Sequence, residues 1–135
     1  MARIMWTLFE YRYRDAGNFK SNGAVALEGE LSAEQAEAAM AKLQDGELFM
    51  AEQLGVPPLY APLYRWSSGP TADDHCWHEF VAFTPVADAA LPPDLPCLGL
   101  ARDFVVRLAS IGEWRCDLSP HARIGRKRRA TLPIL

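Results

Sequence analysis

Residue types that can bind metals or carry out catalysis are concentrated in one short stretch, Asp73-Asp74-His75-Cys76-Trp77-His78-Glu79. If this stretch is helical, His75, His78 and Glu79 share one face at spacings i, i+3 and i+4, which suits a single metal ion. If it is a strand, His75 and Glu79 are roughly 13 Å apart and His78 points to the opposite face. The backbone conformation therefore decides whether a metal site is feasible.

The residues that follow favour the strand, because they are rich in aromatic and β-branched types and end at Thr84-Pro85. We predict a strand over 76–84. One face would carry His75, Trp77, Glu79, Val81 and Phe83, and the other Cys76, His78, Phe80, Ala82 and Thr84. We expect no metal, no other cofactor and no catalytic residue, since the spacing matches no recognised metal or catalytic signature. A metal-dependent enzyme using His75, His78 and Glu79 is the alternative.

Length and composition indicate one domain. The chain has 135 residues, half of them apolar, which suits a single core. The three cysteines, Cys76, Cys97 and Cys116, are odd in number and widely spaced, so we expect core thiols rather than disulfides. No run approaches the roughly 18 to 20 apolar residues that span a bilayer, and no signal peptide is evident. We expect a cytoplasmic protein without a membrane partner.

The charge is distributed unevenly. Residues 1–120 contain nine basic and seventeen acidic residues, a balance of −8, whereas residues 121–135 contain five basic and no acidic residues. We predict a globular domain over 1–120 and a flexible basic tail over 121–135, whose deletion should leave the fold intact. The acidic domain would repel a phosphate backbone, so nucleic acid could bind only through the tail. The basic tail residues are Arg123, Arg126, Lys127, Arg128 and Arg129.

Alternation and capping signals predict the framework. Strands over 4–14 and 19–31 form a long antiparallel hairpin, in which Gly23 suggests a bulge. Ser32-Ala33-Glu34-Gln35 is a capping box that starts a helix over 33–45, ending near Gly46. A second helix is predicted over 98–111, with Leu100, Phe104, Leu108 and Ile111 on its apolar stripe. The fold class is α+β: a small, mostly antiparallel sheet, made of the hairpin and a central strand, with two helices packed on one face.

Residues 47–72 show no regular period, and four prolines fall within 57–70. A long irregular connection in a compact domain is more often functional than incidental. Aromatic and arginine side chains favour contact sites, so we expect a non-enzymatic intracellular binding protein whose partner is another protein. Its binding residues would come from the proline-stiffened loop 57–66 and the acidic start of the central strand, namely Tyr60, Tyr64, Arg65, Trp66, Asp73, Asp74, His75, Trp77 and Glu79. The alternative for the loop is that its aromatic side chains only cover the core.

Four segments resemble a family of small bacterial proteins that has no known activity. They are Tyr13-Arg14-Asp15-Ala16-Gly17-Asn18-Phe19-Lys20, Glu28-Gly29-Glu30-Leu31, Gly46-Glu47-Leu48-Phe49-Met50-Ala51-Glu52-Gln53-Leu54-Gly55-Val56-Pro57 and Asp73-Asp74-His75-Cys76-Trp77-His78-Glu79-Phe80. The resemblance covers most of residues 11–83 and implies no catalytic role.

Overall fold

The computed structural model describes residues 5–14, 20–59 and 77–115 of the chain. In chain order, these residues form β1 (Met5–Arg14), β2 (Lys20–Glu28), α1 (Ala33–Met40), β3 (Leu48–Phe49), α2 (Ala51–Leu54), β4 (His78–Ala87), a 3₁₀ turn (Asp88–Ala90), β5 (Cys97–Leu100) and α3 (Ala101–Ala109). The α+β class predicted from the sequence is confirmed.

The strands form one sheet in the order β3-β4-β1-β2-β5. β1 pairs antiparallel with β2 and with β4, and β3 pairs antiparallel with β4, but β2 pairs parallel with β5. The predicted small, mostly antiparallel sheet is therefore corrected to a five-stranded mixed sheet within the described residues. Its central strand is β1 rather than β4, because β1 is third in this order of five strands.

The two hairpin strands are confirmed, although β2 ends at Glu28 rather than at the predicted residue 31. Their alternation sets the two faces of the sheet. Tyr11 and Tyr13 are buried on one face of β1. Arg12 and Arg14 alternate with them and are half-buried on the other face. The predicted bulge at Gly23 is wrong, because the pairing of β1 with β2 runs without a register shift and places Gly23 opposite Tyr11.

β4 confirms the predicted strand, with three corrections. It begins at His78 rather than at residue 76, so Trp77 precedes the strand. The strand continues through Pro85 to Ala87, and Pro85 is tolerated where β1 is the only neighbour of β4 among the described strands. A bulge lies at Val81, because Glu10 pairs with Ala82 while Tyr11 pairs with Phe80. The extra residue reverses the alternation, so Phe83 lies on the core face with Phe80 instead of on the face of Glu79. The ring centroids of Phe80 and Phe83 are 5.1 Å apart.

The capping box that starts α1 is confirmed in both halves. The Gln35 amide donates to Ser32 Oγ at 3.1 Å, and the Ser32 amide donates to Gln35 Oε1 at 2.8 Å. The helix ends at Met40, earlier than the predicted residue 45. Asp45 and Gly46, with φ of 55° and 78°, instead turn the chain into β3.

The predicted helix over 98–111 is corrected to a strand followed by a shorter helix, β5 and α3. Gly99 has a φ of 86°, a conformation outside any regular helix or strand that glycine adopts without strain. Leu100 is exposed rather than part of the buried stripe, whereas Phe104 and Leu108 are buried as predicted.

One hydrophobic cluster joins the sheet to the helices. It contains Phe9, Tyr11, Val25 and Leu27 from the sheet, Ala39 from α1, Ala51 and Leu54 from α2, and Ala101, Phe104, Val105 and Leu108 from α3. The interpretation of Cys97 as a core thiol is wrong, since Cys97 is exposed on the edge strand β5; Cys76 and Cys116 lie outside the described residues. In the described part of the chain, no helix has the length and apolar character needed to cross a bilayer.

Candidate functional site

The start of the predicted binding loop is attached to the sheet by two hydrogen bonds. The Tyr11 hydroxyl donates to the Pro57 carbonyl at 2.6 Å. The Leu59 amide donates to His78 Nε2 at 2.9 Å. Tyr11 and His78 stand on the adjacent strands β1 and β4. The backbone of residues 57–59, which we call the loop base, is therefore fixed at two points, on either side of Pro58.

His78 is fully buried and lies among aromatic rings. Its ring centroid is 5.1 Å from that of Tyr13, 5.9 Å from Phe49 and 6.0 Å from Tyr11. Because Nε2 accepts a hydrogen bond from an amide, that nitrogen carries no proton and the ring holds its proton on Nδ1. His78 therefore acts as a neutral acceptor that positions the loop base.

Tyr11 is nearly fully buried, and burial raises the pKa of its phenol well above the usual value. The neutral hydroxyl is thus maintained as the donor to Pro57. Both side chains that hold the loop base are uncharged, which suits their position in the core.

The Leu59 side chain provides a third attachment. A Cβ added at Gly23 would lie 2.7 Å from Leu59 Cδ2, so the absent side chain at Gly23 leaves the space that Leu59 occupies. Gly23 stands opposite Tyr11 in the hairpin, and the loop base therefore crosses the sheet on its core face. The sequence signal was the isolated glycine in a strand, which marks either a bulge or a close approach.

Glu79 points away from His78, to the other face of the sheet. Its Oε1 atom lies 2.8 Å from Arg12 Nε and 3.5 Å from Arg14 Nε. Farther along this face, the Thr84 hydroxyl donates to Glu10 Oε2 at 2.5 Å. The start of β4 thus contributes a structural histidine to one face and a paired carboxylate to the other.

This separation bears on the metal hypothesis. His78 and Glu79 cannot both ligate one ion from opposite faces of a strand, as the strand interpretation predicted. No group of three histidine, cysteine or acidic side chains is placed to hold a metal within residues 5–14, 20–59 and 77–115. The remaining candidate ligand, His75, lies outside those ranges.

Of the predicted binding residues, the structure describes Trp77 and Glu79. Trp77 is half-buried and directly precedes β4. The others, Tyr60, Tyr64, Arg65, Trp66, Asp73, Asp74 and His75, lie outside the described residues, as do the basic tail residues Arg123, Arg126, Lys127, Arg128 and Arg129.

Three side-chain contacts hold the segment 113–115 against the earlier part of the chain. Gln53 Nε2 donates to the Glu113 carbonyl at 2.6 Å, and the Arg115 amide donates to Gln53 Oε1 at 2.8 Å. Trp114 Nε1 donates to the Lys42 carbonyl at 3.1 Å. Gln53 therefore has a structural role in this region.

Sequence reasoning did not single out Tyr11, Arg12, Arg14 or Leu59. The pairing of Arg12 and Arg14 with Glu79 depends on which residue of β4 faces which residue of β1, and a strand pattern alone does not give that register. The contacts of Tyr11 and Leu59 depend on the path of residues 57–59 over the sheet, which has no sequence period.

Comparisons with protein-family models, with curated proteins and with solved structures found no match.

Proposed function

We propose that the protein is a non-enzymatic intracellular binding protein that contacts another protein through the loop 57–66 and the segment 73–79. The observation that carries the proposal is the attachment of the loop base to Tyr11 and His78, at 2.6 Å and 2.9 Å. The aromatic residues that we assign to the contact begin at Tyr60, directly after this attachment.

The physical argument concerns the entropy of binding. Immobilising a loop costs free energy on association, and a loop that is fixed before it meets its partner loses less freedom. Pro57 and Pro58 restrict φ at the loop base, and the two hydrogen bonds fix its position on the sheet. We infer that the attachment orients Tyr60, Tyr64 and Trp66 for contact.

We further propose that α1 and α3 pack on the face of the sheet that carries the loop base. Phe9 of β1 and Phe104 of α3 have ring centroids 4.9 Å apart, and Ala39 of α1 belongs to the same cluster. This arrangement assigns the core to one face and leaves Arg12, Arg14 and Glu79 on the opposite face.

The test is capture of a partner from native cell extract by the immobilised protein, with bound proteins quantified by mass spectrometry. Trp66→Ala and Asp74→Ala should each reduce capture while changing the melting temperature little. Val106→Ala is the matched control, because Val106 is 66% exposed on α3, outside the proposed surface. Full capture by both variants, or unfolding of Trp66→Ala, would reject the surface.

A further inference from the structure

Two arginine side chains converge on a single carboxylate oxygen at one end of the sheet. Arg12 and Arg14 are two residues apart on β1 and therefore on the same face. The Nε atoms of both lie within 3.5 Å of the same Glu79 oxygen, Oε1. The usual pairing of arginine with a carboxylate is one to one and often uses two parallel hydrogen bonds. Here one carboxylate serves two guanidinium groups.

The ion-pair group itself is not balanced in charge. Arg12 and Arg14 carry two positive charges and Glu79 carries one negative charge, so one positive charge is in excess within the group. The exposed Lys20 stands opposite Arg14 in the hairpin and adds no carboxylate. This excess contrasts with residues 1–120 as a whole, which have a balance of −8.

Arg14 has an unused hydrogen-bond donor. Its Nε atom is buried and has no acceptor in hydrogen-bonding geometry in the part of the chain that the structure describes, although Glu79 Oε1 is 3.5 Å away. A buried donor without an acceptor costs free energy, and the cost is larger for a charged group. The Arg12 and Arg14 side chains as a whole remain 36% and 37% exposed, so both are partly open to solvent.

We propose that Arg12 and Arg14 form a binding site for a carboxylate group of a ligand, on the face of the sheet opposite the loop base. A guanidinium fork matches the two oxygens of a carboxylate, and one added carboxylate balances the one excess positive charge. A phosphate dianion overcompensates that charge, in a domain that already repels anions. The site adjoins the proposed protein contact at Glu79, which pairs with both arginines, but its two ligand-binding residues are on β1.

The experiment follows the arginine Nε–H signals in ¹H–¹⁵N NMR spectra while acetate replaces chloride at constant ionic strength. The Arg14 signal should move along a saturating curve, and Arg14→Gln should weaken acetate binding, followed at Arg12, about tenfold. Arg102→Gln, which removes an exposed arginine from α3, should leave the curve unchanged. A linear response to acetate at Arg12 and Arg14, or equal curves for wild type and Arg14→Gln, would overturn the proposal.

A second variant separates ligand binding from a purely structural role. Glu79→Gln removes the competing carboxylate but keeps an oxygen that can accept from Arg12, so acetate should bind more tightly than to wild type. If the three residues form only a structural ion-pair group, Glu79→Gln should lower the stability without tightening acetate. A separate titration with inorganic phosphate tests the chemical class of the ligand. If phosphate saturates the Arg14 signal at a lower concentration than acetate does, the assignment to a carboxylate is overturned.

Discussion

Replacing His78 with phenylalanine should detach the loop base while keeping an aromatic ring in the core. The substitution leaves the Leu59 amide without its acceptor, the His78 Nε2 atom 2.9 Å away. Loss of one partner of a buried hydrogen bond costs about 1 to 3 kcal/mol. We expect the free energy of unfolding, measured by urea denaturation, to fall by about that amount.

Stability alone does not show that the loop base moves, so the decisive assay is amide hydrogen exchange at Leu59. His78→Phe should accelerate this exchange beyond the increase that global destabilisation produces. Thr7→Val is the matched control, because it deletes another buried side-chain hydrogen bond to the backbone, from Thr7 Oγ1 to the Gly29 carbonyl at 2.7 Å, near the opposite end of β1. Equal Leu59 protection in the two variants, after correction for stability, would refute the anchoring role of His78.

Three further predictions concern the same region. Burial raises the pKa of Tyr11 in the folded state above its unfolded value of 10.0. The stability that the neutral phenol contributes is therefore fully present below pH 10 and is lost as the pH rises above it. Between pH 8 and pH 11, wild type should therefore lose about 1.4 kcal/mol more stability than Tyr11→Phe in urea titrations, and parallel losses would contradict the buried phenol. Gly23→Ala places a Cβ 2.7 Å from Leu59 Cδ2 and should therefore shift the NMR signals of residues 57–59. Gly112→Ala, the control, has open space around its Cβ and should leave these signals unchanged. Unchanged Leu59 signals in Gly23→Ala would exclude the close approach. His78 and Glu79 lie on opposite faces of β4, so the purified protein should contain less than one equivalent of zinc and keep its melting temperature when a chelator is added. One equivalent of tightly bound zinc, measured by elemental analysis, would contradict this prediction.

Local signals in the sequence predicted the elements that depend mainly on local interactions. The alternation of Tyr11 and Tyr13 with Arg12 and Arg14 identified β1, and the Ser32 capping box identified the start of α1. β5 was missed because it has only four residues, among them Gly99, and their pattern also fits the apolar face of a helix. In addition, its pairing with β2 joins residues that are about 70 positions apart in the sequence, so no local signal indicates it. β3 and α2 contain two and four residues, too few to show a period.

The site was predictable in its strand conformation but not in its contacts. The aromatic content after Glu79 was sufficient to favour a strand and to separate His78 from Glu79. The bulge at Val81 has no sequence signal, because it arises from the register of β4 against β1. Since the prediction did not include this bulge, it assigned Phe83 to the wrong face of the strand. The pairing of Arg12 with Glu79 follows from the same register, and the hydrogen bond from Tyr11 to Pro57 follows from the path of the loop base, so both were missed.

The most direct test of the proposed function is photo-cross-linking in intact cells, with a photoreactive amino acid at position 64 or, as control, at position 106. Position 64 lies in the loop that we assign to the partner, and Val106 is exposed on α3. The account predicts light-dependent products of higher mass from position 64, their loss on Asp74→Ala, and none from position 106. Absence of products from position 64, or the same products from both positions, would contradict a binding function of this loop.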